Sequence, residues 1–375
     1  VFDYGRCACS KGEGAVTETA TGVLISIVIP AYNYAQTLPR TVESVVPQLS
    51  DDCELIIIDD GSTDNTPQVI SDLQQKYPEK IAAERKINGG LASVRNRGIE
   101  IARGDWLIFL DADDEMADGA IEHIRQHLDA NPETRFVAGG HVSVSPNGRR
   151  SAHTPGSMPD DPLARVRAYL LDKTLALSNG ACVMHRDVFI RGNYPEAFRS
   201  AEDIPVFTQV LASYPCSVLD EPLALIHKHA DSLRHQFSHA KAGGLKLVDE
   251  VFAPHRLPGQ FQSLRRAFFV QRCLSLFRSA WLAGEYELAK EWFLQALKAD
   301  WRVIFRVSYS RKALRLWLRR QEQVCVFSSR FIGGCATCFI VIDGTSRPII
   351  VWLSVIQRAR HLKKLPLKCV AKAIV

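Results

Sequence analysis

Three carboxylates follow one apolar segment in the first third of the sequence. Asp111, Asp113 and Asp114 come directly after the apolar run Trp106–Leu110. Carboxylates this close raise each other's pKa unless a proton or a cation relieves the repulsion. Mg²⁺ or Mn²⁺ is a natural cation here, because such ions take one or two carboxylates and complete their coordination with waters and phosphate oxygens. The triplet therefore predicts a metal site completed by a phosphate-bearing ligand, with a simple helix cap as the alternative.

Polar segments also follow or precede the neighbouring apolar runs. Residues 30–33 and 59–64 each end an apolar run, and Asn88-Gly89-Gly90 opens a helical pattern that contains Arg95. Turn and cap residues alone could explain each segment. The sequence contains neither the dinucleotide-binding nor the P-loop signature, so we expect a metal ion and arginine to bind any phosphate.

These segments belong to an alternation of short apolar runs and helical patterns. Strands are predicted at 24–29, 54–59, 80–84 and 106–110, with helices at 36–49, 66–77 and 91–102 between them. Such alternation predicts an α/β fold with a Rossmann-like, mostly parallel sheet and helices on both faces. Ligands bind such sheets beyond the carboxyl ends of the strands. The polar segments should therefore converge on one edge.

In their order and spacing, the motifs resemble the family 2 glycosyltransferases over residues 24–235. The motifs are Ile29-Pro30-Ala31-Tyr32-Asn33, Asp59-Asp60-Gly61-Ser62-Thr63-Asp64, Asn88-Gly89-Gly90 with Arg95-Asn96-Arg97-Gly98, Phe109-Leu110-Asp111-Ala112-Asp113-Asp114, and Glu202-Asp203. The resemblance implies the GT-A fold, a nucleotide-sugar donor, Mg²⁺ or Mn²⁺, and inversion at the anomeric carbon.

The resemblance also implies roles for individual residues. Asp203 would be the general base, Asp111 and Asp113 would hold the metal, and Tyr32 and Asp60 would lie near the nucleobase or ribose. The predicted donor-binding residues are Pro30, Tyr32, Asn33, Asp60, Asn88, Gly90, Arg95, Asp111 and Arg234. His229 is predicted as a further metal ligand, although the stretch that holds His229 and Arg234 could equally be a solvated polar loop.

The chemistry of an inverting transfer agrees with the role of Asp203. One carboxylate must accept the proton of the acceptor hydroxyl, and general base catalysis typically contributes about 10²- to 10⁴-fold. A metal ion can neutralise the departing diphosphate, so no protonated acid is required on that side. Asp203 precedes Ile204-Pro205 and would lie in a loop or at a helix N-terminus, where the helix dipole favours its ionised form. The alternative is a helix cap with no catalytic role.

Four regions are predicted along the chain. Residues 1–22 form a loose leader, 23–235 the GT-A domain, 236–321 an all-α appendage, and 322–375 an unassigned tail. Within the appendage, Arg302–Arg320 holds seven basic residues, no acidic residue and Trp317. A basic amphipathic helix suggests peripheral contact with an anionic membrane, and an ordinary solvated face is the alternative.

The composition limits the function classes. Hydrophobic residues make up 46% and charged residues 23% of the chain, and the net charge of +5 is too small to indicate a nucleic-acid partner. The longest apolar runs are too short to span a bilayer. We therefore expect a cytoplasmic enzyme, free or attached to the inner face of the cell membrane. Its expected acceptor is a glycan or a lipid-linked molecule in cell-surface polysaccharide or lipopolysaccharide synthesis. An inactive glycan- or nucleotide-binding protein with a helical interaction segment is the alternative.

Overall fold

The computed structural model describes residues 24–228, 237–328, 341–342 and 348–349, with side chains described to residue 317. The predicted leader, and His229 and Arg234 with it, lie outside the described residues. Contacts between residues group the chain up to Trp317 into one compact unit and the chain from Leu318 into another. The domain boundaries proposed from the sequence stay predictions.

The described residues contain one large sheet, one small ladder and the helices that cover the sheet. The strands are β1 (Ile25–Ala31), β2 (Cys53–Asp59), β3 (Ile81–Arg85), β4 (Trp106–Phe109), β5 (Glu115–Met116), β6 (Phe136–Val144), β7 (Arg150–His153), β8 (Cys182–His185), β9 (Cys216–His227), β10 (Val341–Ile342) and β11 (Pro348–Ile349). The helices are α1 (Leu38–Val45), α2 (Thr66–Lys76), α3 (Leu91–Ile101), α4 (Ala120–Ala130), α5 (Pro162–Arg167), α6 (Asp203–Ser213), α7 (Phe237–Gly243), α8 (Lys246–Val251), α9 (Arg265–Ala283), α10 (Tyr286–Ala299) and α11 (Val307–Ser328).

The large sheet has the order β3-β2-β1-β4-β8-β6-β9-β5, and β7 pairs with β6. The first four strands of this order are parallel, as predicted from the strand–helix alternation. Antiparallel pairing enters where β8 joins β4 and β6 joins β8. The α/β fold is confirmed, and the second half of its sheet is mixed rather than parallel.

Burial of both faces of the sheet explains why the central strands consist of unbroken runs of apolar residues. Every residue of β1 is buried, because helices cover both faces of the sheet. Alternate residues of β1 belong to different cores: Ile27 and Ile29 pack in the core that includes α1, α2 and α4, and Val28 packs in the core on the other face. That second core also takes in Phe252 and Phe261 of the helical region.

Two predicted boundaries were wrong, and both involve proline. Pro30 was expected to end the first strand, but β1 continues to Ala31. The pairing of β1 with β4 ends where Val28 lies opposite Phe109. Pro30 lies beyond this pairing, so its missing N–H removes no hydrogen bond to β4. The first helix ends at Val45 and continues as a 3₁₀ turn that contains Pro47, because proline has no N–H for the helical ladder.

Strand β9 joins two pieces that the sequence pattern separates, residues 217–219 and 223–226. Its pairing with β6 changes register between Gly139 and Gly140, where β9 carries extra residues in a bulge. A Cβ on Gly140 would lie 2.5 Å from the Asp220 carbonyl oxygen. The polar stretch around Asp220 is therefore a bulge inside one strand, made possible by the missing side chain of Gly140.

The apolar period of the sequence predicts helices at 261–283, 286–299 and 311–321. The structure has all three helices, two of them with shifted ends. The helix expected from Phe261 begins as a 3₁₀ turn and becomes α9 at Arg265, and α11 extends beyond the predicted 311–321 at both ends. Helices α9 and α10 pack through a third core that includes Phe277 and Phe293. Among the described residues, none of the helices combines the length and apolar character needed to cross a bilayer.

Candidate active site

Asn33 ties the first two loops at the carboxyl edge of the sheet together. Its side-chain oxygen accepts hydrogen bonds from the backbone N–H groups of Thr63 (2.8 Å) and Asp64 (3.3 Å), and its own N–H donates to Ser62 (2.9 Å). Asn33 has a φ of 60°, which asparagine adopts more readily than most residues. The adjacent Tyr32 keeps 44% of its surface exposed. Asn33 thus positions an open aromatic ring above the edge.

Asp60 holds the loop before α3. One carboxylate oxygen accepts from Lys86 Nζ (2.9 Å) and from the Gly89 N–H (2.9 Å), and the other accepts from the Gly90 N–H (2.7 Å). Asp60 is only 3% exposed, so its carboxylate makes its contacts almost entirely within the protein. Asn88, on the same loop, is exposed. Gly90 has a φ of 88°, a backbone conformation suited to glycine.

Arg95 connects the acidic motif with the segment before α6. Its guanidinium donates to Asp111 (3.1 Å) and to Glu202 (2.7 Å), and the Tyr194 ring lies 5.3 Å from its Cζ. Only 2% of the Arg95 side chain is exposed, against 41% for Asp111. One buried cation therefore bridges two carboxylates whose positions in the sequence are far apart. Asp203, the neighbour of Glu202, lies close enough for the charge of Arg95 to act on its carboxyl group.

The end of the loop after β1 and the first turn of α1 also contact the acidic motif. Thr37 donates to the Ala112 carbonyl oxygen (2.8 Å), and Arg40 donates to the Asp113 carbonyl oxygen (2.6 Å). Burial and the charges of the three aspartates raise the pKa of Tyr34. The polar segments predicted to converge on one edge do so.

The three aspartates concentrate more negative charge than their surroundings neutralise. Burial, followed by the charges of Asp111 and Asp113, raises the pKa of Asp114 to about 8, although the His227 N–H donates to it (2.8 Å). Desolvation by the surrounding protein, and then the charge of Asp113, also raise the pKa of Asp111 against the effect of Arg95, although 41% of the Asp111 side chain is exposed. A site with this imbalance favours a bound cation.

Asp203 is the first residue of α6 and has a perturbed carboxyl group. Burial, and then the charge of Glu202, raises its pKa to about 6, while Arg95 and the backbone N–H groups of α6 act in the opposite direction. Ala201, two residues earlier, has a φ of 65°, an uncommon conformation for a residue with a side chain. The backbone that leads into Asp203 is therefore held in a specific, unfavourable geometry.

Comparison with known proteins agrees with this arrangement. The model of the glycosyl transferase family 2 domain matches residues 26–192. The matched residues make up less than half of the chain, and it is this segment that is similar to the family 2 glycosyltransferases. The matched segment ends before Asp203, so the family match does not extend to the predicted base.

Curated relatives match part of this chain over part of their own length. An uncharacterized glycosyltransferase of Nostoc sp. is 46% identical over 24% of this chain and 28% of its own length. The minor teichoic acid biosynthesis protein GgaB of Bacillus subtilis is 34% identical over 28% of this chain and 12% of its own. Chondroitin synthase of Pasteurella multocida is 37% identical over 33% of this chain and 13% of its own. The chain thus matches less than a third of each of these relatives.

Solved structures share the fold over most of the chain. The crystal structure of S. aureus TarS 1-349 superposes with a TM-score of 0.56 at 18% identity, and covers 86% of this chain and 94% of TarS 1-349. A complex of the same protein with UDP gives a TM-score of 0.55. At this identity the comparison supports the GT-A-like fold alone.

The residues that follow β4 have the ligand type and the charge that a divalent metal ion requires. Asp111 and Asp113 offer carboxylate oxygens, which Mg²⁺ and Mn²⁺ prefer, and such ions take their remaining ligands from waters and phosphates. Within the part of the chain that the structure describes, no group of three or more potential ligand residues has metal-binding spacing. His229, the predicted third ligand, lies outside that part.

Arg199 is a residue of the cleft that sequence reasoning missed. A Cβ on Gly90 would lie 2.2 Å from an Arg199 guanidinium nitrogen, so Arg199 covers the start of α3. Arg199 is exposed and lies four residues before Asp203. No local pattern marks this residue, because its contact with Gly90 joins distant parts of the sequence.

Proposed function

We propose that the protein transfers a sugar from a nucleoside diphosphate sugar to an acceptor hydroxyl group, with inversion at the anomeric carbon. The observation that supports this most is the position of Arg95, which contacts both Asp111 and Glu202. This contact supports a cleft in which the predicted metal-binding carboxylates and the predicted base lie on either side of the donor sugar. An inverting transfer requires such an arrangement, because the acceptor attacks the face of the sugar opposite the one from which the diphosphate leaves.

Asp203 would accept the proton of the acceptor hydroxyl. A carboxyl with a pKa of about 6 is ionised at neutral pH and is a stronger base than an ordinary aspartate. The hydroxyl oxygen would bond to the anomeric carbon as the bond to the diphosphate breaks. Glu202 cannot replace Asp203 in this role, because Arg95 holds it in a buried ion pair.

Asp111 and Asp113 would hold Mg²⁺ or Mn²⁺, which supplies positive charge to stabilise the departing diphosphate. Arg95 partly neutralises Asp111 before any ligand binds, because its guanidinium donates to one Asp111 oxygen. The buried guanidinium thereby lets two acidic segments approach each other. In this proposal Arg95 contributes mainly to positioning the carboxylates.

The loops around Tyr32 and Asp60 would bind the nucleoside part of the donor. Tyr32 offers an exposed ring for stacking on a base. Asp60 is occupied by the backbone of Gly89 and Gly90, so we propose that it shapes the pocket through this loop. TarS, which shares the fold, has been crystallised with UDP, and this supports a nucleoside diphosphate donor.

The names of the curated relatives support an acceptor of the cell surface. They include a teichoic acid biosynthesis protein and a chondroitin synthase. We propose a role in cell-surface polysaccharide or lipopolysaccharide synthesis, with a glycan or a lipid-linked acceptor. An assay of nucleoside diphosphate release over a panel of donors and acceptors tests the function. Release with no donor and acceptor pair would favour the alternative, an inactive binding protein.

The pH dependence of turnover provides a second test. Because Asp203 must be ionised to accept a proton, kcat is expected to fall about tenfold per pH unit below its pKa of about 6 and to level off above it. A pH series with saturating donor and acceptor measures this. A kcat that is independent of pH between 4.5 and 7.5, with chemistry limiting, would contradict the assignment of Asp203.

We also propose that the protein contacts an anionic membrane through the aromatic turn, defined as residues 301–305. Trp301 and Phe305 are 63% and 67% exposed, and their rings lie 5.7 Å apart. Seven of the ten exposed large hydrophobic residues in the described part of the chain fall within 282–307. Arg306, Arg311 and Arg315 are exposed beside the turn. Aromatic rings with adjacent arginines are typical of surfaces that bind anionic lipid headgroups.

Vesicle sedimentation tests this membrane contact. The Trp301→Ser/Phe305→Ser variant is expected to lose at least about fivefold in binding to vesicles containing phosphatidylglycerol, because it removes the apolar part of the contact. Ile190→Ser, which changes an 80% exposed side chain elsewhere, should bind as the wild type does. Equal binding of all three proteins would contradict the proposal, and so would a change in oligomeric state with no vesicle binding at all.

A further inference from the structure

A cavity of about 770 Å³ lies away from the candidate active site. Its wall includes Pro215 and Cys216, which follow the C-terminal end of α6, whereas Asp203 begins that helix. An α-helix of eleven residues is about 16 Å long. The cavity therefore lies about one helix length from the predicted base. Its volume is in the range of pockets that bind small molecules.

Arg165 lines this cavity as a buried cation that forms no ion pair with a described residue. The residue is only 7% exposed, and its Nε makes no hydrogen bond. No carboxylate of the described residues forms an ion pair with it; its N–H bond to the Asp161 carbonyl oxygen (3.0 Å) is a backbone contact. Arg97 and Arg167, by comparison, are far more exposed and are both paired with carboxylates.

A buried guanidinium without a partner is energetically unfavourable. Buried charges in proteins are normally paired and hydrogen-bonded, because an unpaired charge is much less stable in the protein interior than in water. The remaining wall of the cavity carries the hydroxyl groups of Thr154, Ser157 and Ser217 and the carboxylates of Asp160 and Asp220. Both of these aspartates are exposed, so solvent screens their charges more than that of Arg165.

We propose that this cavity is a second binding site, which takes a small oxyanion, a phosphate or carboxylate group, on the guanidinium of Arg165. The planar guanidinium can donate two parallel hydrogen bonds to such a group. The bound anion would supply a direct ion-pair partner, which none of the described carboxylates provides. Ser157, which is exposed at the cavity, could donate a further hydrogen bond. This site is independent of the proposed transfer reaction.

Thermal unfolding in the presence of a chelator tests the site, with inorganic phosphate and acetate as probes at matched ionic strength. For the wild-type protein we expect a saturable rise in Tm with at least one of the two, and the probe that acts distinguishes phosphate from carboxylate recognition. Arg165→Met should weaken this response about tenfold or more, because it removes charge-assisted hydrogen bonds. In buffer without either anion, Arg165→Met should unfold at the same or a higher temperature than the wild type, because an uncompensated charge is removed.

Two further variants complete the experiment. Arg167→Met, which removes the exposed, paired arginine two residues along α5, should respond to the anions as the wild type does. Ser157→Asp adds a negative charge at an exposed position and should abolish the response even if Arg165→Met does not fold. A wild-type protein that responds to neither anion, or a response that Arg165→Met or Ser157→Asp leaves unchanged, would overturn the proposal and indicate that Arg165 is compensated by water alone.

Discussion

Replacing Asp203 by asparagine is expected to lower kcat by about 10²- to 10⁴-fold, the usual contribution of a general base. Asparagine keeps the size of the side chain and its place at the start of α6, but it cannot accept a proton from the acceptor hydroxyl. Donor binding should change little, because the predicted donor contacts lie on other loops. Steady-state kinetics with saturating donor, together with calorimetric titration of UDP, measure both quantities.

Asp118→Asn is the matched control for this variant. Asp118 is exposed and lies close to the acidic motif in the sequence, but the account gives it no role. Its kcat should equal that of the wild type. Turnover of Asp203→Asn at the wild-type rate would show that another group accepts the proton. A parallel loss of UDP affinity would show that Asp203 acts on the donor side.

Replacing Arg95 by methionine is expected to lower the free energy of unfolding by about 3–5 kcal/mol, the usual cost of breaking a buried ion pair on one side. Methionine fills similar space but leaves Glu202, whose side chain is 7% exposed, without its counter-charge. Asp111 would also lose its hydrogen-bond donor. Urea unfolding followed by circular dichroism measures the difference.

Arg97→Met provides the comparison on the same helix. Arg97 is 38% exposed and pairs with Glu84 and Glu100, so its replacement should cost less than about 1 kcal/mol. The double variant Arg95→Met/Glu202→Gln should recover part of the loss, because it removes the orphaned charge. Equal costs for Arg95→Met and Arg97→Met would contradict the buried bridge described here.

Much of the first half of the fold could be predicted from local patterns. Helices α2 and α3 and strands β2 and β4 end within one residue of the predicted positions. Their apolar periodicity and their alternation specify both element type and parallel pairing. The errors at Pro30 and Pro47 arose because a proline ends an element only where a backbone N–H at its position would form a hydrogen bond. Whether such a bond exists depends on the neighbouring strand or helical turn.

Long-range contacts account for what the sequence could not reveal. Arg95 was predicted to bind the donor, and the structure pairs it with Asp111 and Glu202 instead; contact with a donor stays a prediction. The bulge in β9 depends on the close approach of Gly140 to another strand. Arg165 belongs to an ordinary helical pattern, and only the fold shows that its charge is buried. Burial and partner identity depend on tertiary contacts, which a single sequence does not encode locally.

Calorimetric titration of UDP and UDP-sugars, with Mn²⁺ and then with a chelator, is the most direct test of the proposal that the carboxylates after β4 bind a donor through a metal ion. We expect saturable binding with Mn²⁺, and at least about tenfold weaker binding with the chelator or in the Asp113→Ala variant, because the diphosphate would lose its cation. No binding of any of these nucleotides, or the same affinity with and without the metal, would contradict the account.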